Sequence, residues 1–118
     1  MTFQGGDIVM TRFPHAGGRR GKKRPAVVIQ ADVYNAYLKH VIVAEITTNL
    51  APATDPASLL IDVGTPEGHA TGLAHTSVVC CLFLSTVAET GITQVIGKLS
   101  ASMTVRLDAC LKRALQLS

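Results

Sequence analysis

Apolar residues recur along this chain in short blocks separated by glycine, proline and polar clusters, and the period of each block decides what it predicts. Asp7-Ile8-Val9-Met10-Thr11-Arg12 follows Gly5-Gly6 and predicts a first strand, which Phe13-Pro14 ends. Ala26-Val27-Val28-Ile29-Gln30 is β-branched and continuous, the pattern of a buried strand. Pro25 suits its first position because the missing N–H matters least there. A short helical turn from Asp32 to Tyr37 precedes a third strand, Val41 to Thr47. Further strands are predicted at Ser58 to Val63, Ser77 to Val87 and Gln94 to Leu99, with a loop from Asn49 to Ala57 and a turn-rich stretch from Gly64 to Gly72. Many short strands joined by Gly/Pro turns predict a mainly β chain with a barrel or sandwich core.

The period changes near the C-terminus. Ser100 is placed as an N-cap, and Met103, Leu107, Cys110, Leu111, Ala114 and Leu115 then recur at helical spacing. One amphipathic helix over residues 101–117 is predicted, packing this stripe on the β core, with Lys112 and Arg113 near its end to suit the helix dipole.

Composition narrows the class. With 118 residues the chain fits a single domain, 1–118, and at 47% hydrophobic and 16% charged it has the composition of a folded protein rather than a disordered one. So apolar a short chain points to a homodimer that covers part of its surface. The longest apolar stretch, Val78 to Ala88, falls short of the ~20 residues that cross a bilayer. Asp7 comes early and no basic-then-apolar leader precedes it, so a cytoplasmic protein with no membrane partner is expected. Cys80, Cys81 and Cys110 are odd in number and lack C-x-x-C spacing, which argues against disulfides and a metal site and for small hydrophobes in a core. No metal or other cofactor is expected.

Charge is the uneven feature. Arg12, Arg19, Arg20, Lys22, Lys23 and Arg24 supply six of the eleven basic residues, no acid occurs between Asp7 and Asp32, and elsewhere five basic residues face eight acidic ones. His15 to Lys23, with three glycines, predicts an exposed, mobile basic connection between strands. One concentrated patch on a mildly acidic body suits an anionic partner such as a phosphodiester backbone.

Candidate chemistry is sparse. No G-x-G-x-x-G, Walker loop, H-E-x-x-H or G-x-S-x-G is present, and the histidines at 15, 40, 69 and 75 lack ligand spacing. Each reads as a solvated loop residue or an acid/base; His15, inside the basic segment, is the first choice for the latter and His75 the second. Arg24 is followed at once by Pro25 and a buried strand, so its backbone is held while Arg19 to Lys23 ride on the loop. It is either an exposed arginine at a strand start or a fixed guanidinium able to hold a phosphate and stabilise charge built up in a pentacoordinate transition state. Thr47, beside Thr48 and Asn49, either binds phosphate or stabilises a turn. Glu45 shares its strand face with Thr47 and is either a paired acid or a general base.

Taken in order, Gly6-Asp7-Ile8-Val9, Phe13-Pro14, Lys22-Lys23-Arg24-Pro25-Ala26-Val27-Val28-Ile29 and Val43-Ala44-Glu45-Ile46-Thr47 resemble the MazF/PemK toxins of type II toxin–antitoxin systems. Ser77-Val78-Val79, Ile96-Gly97-Lys98-Leu99-Ser100 and the segment Leu107 to Lys112 fit the family's closing strands and helix. The resemblance implies an SH3-like barrel with a C-terminal helix, a homodimer, and a metal-independent, sequence-selective endoribonuclease acting on single-stranded RNA. In that chemistry the 2′-hydroxyl attacks the adjacent phosphate to leave a 2′,3′-cyclic phosphate. It further implies that Arg24 and Thr47 are catalytic, that Arg19, Arg20, Lys22 and Lys23 attract RNA, and that a cognate antitoxin occupies the same groove. Where some members carry a histidine or glutamate in the first long loop, this chain has Gly18 and Arg19, and Cys80 to Phe83 is apolar where others carry an arginine or acid. Glu45, His15 and His75 therefore stand as the acid/base candidates. Two other functions fit the same residues: a toxin of this fold that binds a protein, as the gyrase-poisoning CcdB relatives do, and a non-catalytic RNA-binding module.

Overall fold

The computed structural model describes residues 2–14 and 20–118. Six strands, β1 (Asp7–Pro14), β2 (Arg20–Val28), β3 (His40–Thr47), β4 (Ser58–Ile61), β5 (Ser77–Ala88) and β6 (Ile92–Lys98), form one antiparallel sheet in the order β4-β5-β3-β2-β1-β6. Two short helices, α1 (Asp32–Asn35) and α2 (Pro66–His69), lie in the connections, and α3 (Ala101–Leu115) closes the chain.

The continuous apolar runs have a simple origin: both faces of the sheet are buried. On one face Ile8, Val27, Ala44, Ile46 and Val79 pack with Met103, Leu107 and Cys110 of α3. On the other, Val9, Ala26, Val28, Val41 and Val43 pack with Phe3, Val87 and Ile92. Neighbouring residues of one strand thus enter different cores, so a strand such as Ala26–Val28 has no polar side to alternate with.

Helix α3 behaves largely as its periodicity predicts. Ser100 Oγ accepts the Met103 N–H at 3.1 Å, and Met103 and Leu107 are buried, each worth about 1.5–3 kcal/mol of burial. The predicted stripe is too long by one residue: Leu115 is exposed, because the helix stops there and Gln116 turns left-handed at φ 57°. The start of α3 is tied to α2 through Glu67. Its carboxylate accepts from Ser100 Oγ at 2.8 Å, Ser102 Oγ at 2.9 Å and the Arg106 guanidinium at 3.1 Å, and these bonds hold its carboxyl below the usual carboxylate range.

The main correction concerns the basic segment. β1 runs through Phe13-Pro14 instead of stopping at Arg12, and β2 begins at Arg20 rather than Pro25: Arg12 pairs with Lys23 and Pro14 with Arg20, making a hairpin arm. Its β2 side, Arg20 to Arg24, carries no apolar side chain, so only backbone pairing with β1 makes it a strand. Lys22 and Lys23 are therefore exposed on a strand, and Lys23 is held by the same ladder as Arg24. His15 and Arg19, and the side chain of Arg20, lie outside the described residues.

Candidate functional site

Arg24, Ala26 and Val28 alternate onto one face of β2, and across the ladder Ala26 pairs with Glu45 and Val28 with Val43. The second core occupies this face as far as Ala26 and Val43. Beyond them the same face carries Arg24, Glu45 and Thr47, so the polar groups begin where apolar cover runs out. On the far side of β3, Glu45 pairs with Cys80 and Thr47 with Val78. Arg24, Glu45, Thr47 and Cys80 line one groove of about 420 Å³, together with Ile46, Asn49, Pro52 and Phe83.

The groove's polar groups are held in different ways. Thr11, opposite Arg24 on β1, is buried and bonds through its hydroxyl to the Gly91 carbonyl at 3.3 Å, which stiffens the backbone behind the arginine. Arg24 is exposed and lines the groove, and among the described residues its guanidinium makes no ion pair. Thr47 Oγ1 accepts the Asn49 N–H at 3.1 Å, and Asn49 Oδ1 accepts the Ala51 N–H at 3.1 Å. The first bond sets the hydroxyl oxygen and leaves its hydrogen to donate. Glu45 is half-buried beside the Cys80 thiol, which desolvation, then the Glu45 charge, push above the ordinary thiol range against a hydrogen bond from Ser58.

The structure thus brings together Arg24, Thr47 and Glu45 and leaves His75 elsewhere: it is exposed, and its carbonyl accepts from Ser77 Oγ at 2.7 Å. Lys22 and Lys23 continue β2 beyond Arg24. Asn49, Pro52, Cys80 and Phe83 are groove residues to which the sequence assigns no role in a site. Cys80 and Phe83 belong to an apolar run whose course depends on an irregular stretch of β5, and no local pattern marks it. Among the described residues no group of three or more His, Cys, Asp or Glu is placed to hold a metal ion. No described helix is long and apolar enough to cross a membrane.

Four likenesses accompany this geometry. Residues 4–115 match the family described as the PemK-like, MazF-like toxin of type II toxin–antitoxin system. Over 105 residues the chain is 37% identical to a Mycobacterium tuberculosis protein named Endoribonuclease MazF6, covering 88% of each. Its fold superposes with a TM-score of 0.77 on the Mycobacterium tuberculosis toxin MazF-mt6, at 25% identity and covering 95% of this chain and 98% of that one. An endoribonuclease from a mycobacterial species, solved with its cognate antitoxin, shares the fold at a TM-score of 0.77 and 16% identity, over 98% of this chain and 97% of the other. The SH3-like barrel with a C-terminal helix is the architecture of these toxins and of this chain.

Proposed function

Since the chain belongs to the PemK-like, MazF-like toxins of type II toxin–antitoxin systems, whose relatives bear the name endoribonuclease, we propose that its groove cleaves single-stranded RNA without a metal ion, with Arg24 and Thr47 at the reacting phosphate. The observation that carries this is the convergence of Arg24, Glu45 and Thr47 on one groove.

The chemistry follows from the side chains. The substrate's 2′-oxygen attacks the adjacent phosphorus as Glu45 takes the hydroxyl proton. Negative charge gathers on the non-bridging oxygens, where the Arg24 guanidinium donates paired hydrogen bonds and the Thr47 hydroxyl one more. The bond from phosphorus to the 5′-oxygen breaks, and that oxygen takes a proton from water in the open groove. The products are a 2′,3′-cyclic phosphate and a 5′-hydroxyl. Lys22 and Lys23, with Arg19 and Arg20, draw the RNA backbone toward Arg24. The protein acts in the cytoplasm as a homodimer of single-domain chains, and a cognate antitoxin silences it by laying an acidic or amphipathic tail along the same basic hairpin.

The test is incubation of pure protein with mixed RNA in EDTA, followed by mapping of fragment ends. Cyclic-phosphate and 5′-hydroxyl ends are expected, with cleavage lost in Arg24→Ala. Intact RNA at high protein concentration rejects the nuclease, and tight binding without cleavage leaves an RNA-binding module in its place.

A further inference from the structure

Phe83 is an aromatic side chain where no core needs one. Of the three phenylalanines, Phe3 is 3% exposed and Phe13 packs against the second core, whereas Phe83 is 60% exposed. The backbone puts it there. Along the β3–β5 ladder Ala44 pairs with Leu84 but the next residue, Glu45, pairs with Cys80, so Cys81, Leu82 and Phe83 are inserted against no partner on β3. The insertion is anchored at both ends: Cys81 is buried in the helix-side core and its N–H donates to the Ala57 carbonyl at 3.1 Å, while Leu84 packs against the same core. Between these anchors Leu82 and Phe83 are thrown outward, and Phe83 lines the groove that holds Arg24, Glu45 and Thr47. Bulges commonly re-aim a side chain in this way beside a functional site.

An exposed ring costs hydration free energy that nothing within the chain recovers. It sits beside a guanidinium and next to a basic hairpin, so an occupant of this groove needs negative charge and a flat apolar surface together. Single-stranded nucleic acid has both, because every unpaired base presents a π-face within a few ångströms of a phosphate. Resting on the RNA-cleaving function proposed above, we infer that Phe83 is a stacking platform for one unpaired nucleobase flanking the phosphate held by Arg24 and Thr47. Its part is positioning: stacking fixes the strand so that the 2′-hydroxyl lies in line with the bond to be broken.

The test reads binding apart from cleavage, with uniformly 2′-O-methylated single-stranded RNA, which lacks the attacking hydroxyl, and an abasic strand of equal length. Phe83→Ala is expected to weaken binding to the base-bearing strand about 5- to 150-fold, the worth of one stacked base, and to leave abasic binding unchanged. Phe83→Leu, apolar but not flat, should fall with it. The chain contains no tryptophan, so Phe83→Trp introduces a single indole whose fluorescence should be quenched by the base-bearing strand, with affinity kept. Wild-type affinity in Phe83→Ala or Phe83→Leu overturns the stacking site. So does an equal loss on the abasic strand, or a loss that tracks a change in sedimenting mass, which would make Phe83 an interface residue. A wild type that binds through Phe83 yet cleaves nothing keeps this site and loses the nuclease; one that cleaves while Phe83→Ala binds normally does the reverse.

Discussion

Arg24 and Thr47 lie on adjacent strands, each two residues beyond the last β2–β3 pair of Ala26 with Glu45, and both line one groove. Each is fixed by different chemistry, Arg24 by pairing with the buried Thr11 and Thr47 by the N–H of Asn49. Arg24→Lys keeps the charge but loses the planar pair of donors. Its cleavage rate should fall about 100- to 1,000-fold, while affinity for 2′-O-methylated RNA changes little. Thr47→Ala should cost less, and the double variant less than the product of the two, since both act on one phosphate. Single-turnover rates set beside binding constants check this; an equal loss in rate and affinity would reduce Arg24 to a simple anchor.

The exposed arm of β2 makes a separate prediction about salt. Replacing Lys22 and Lys23 by alanine should lower the slope of log affinity against log salt by about 0.7 for each phosphate contact removed. Rates at saturating RNA should hold. A slope unmoved by both substitutions takes the arm out of RNA binding.

Burial, then the neighbouring Cys110 and Cys80, push the Cys81 thiol up to about 12 from an ordinary 9.0. In the native protein at about pH 8 it should resist iodoacetamide and label only on unfolding. The sign for stability is definite. Between 9.0 and about 12 the unfolded chain gives up this proton while the folded chain keeps it, so stability falls as pH rises through that window. Urea midpoints measured across it should drop, and Cys81→Val should flatten the fall.

A Cβ on Gly97 would overlap the carbonyls of Thr71 and Ala70, backbone that cannot swing aside. Gly97→Ala should cost about 3 kcal/mol or more, or prevent folding. At Gly64 the nearest atom to an added Cβ is the movable Asp62 carboxylate at 3.1 Å, so Gly64→Ala should stay within about 1 kcal/mol of wild type. Thermal or urea unfolding of the pair checks the contrast.

Several features were legible without coordinates because they are written in local period. Val41–Thr47 and Ser77–Val87 read as strands, and Met103, Leu107 and Cys110 as a buried helix stripe, since each pattern matches the repeat of its own element. Arg24, Glu45 and Thr47 were visible too, as polar residues interrupting or adjoining apolar runs. The hairpin arm from Arg20 was not, because glycines and like charges carry no strand signal and pairing with β1 alone orders them. Phe83 was lost inside an apolar run, where an exposed aromatic and a core aromatic are spelled alike.

The sequence by itself determined the β-rich class, the closing helix with its Ser100 cap, the concentrated positive charge and the family resemblance, all of which depend on residue type and spacing along one dimension. Only the tertiary structure decided that Arg24, Glu45 and Thr47 meet in one groove, that His75 stands apart from it, and that Phe83 points into it. Those outcomes turn on strand register and a three-residue insertion in β5, which set pairings across tens of residues and leave no mark on the local pattern.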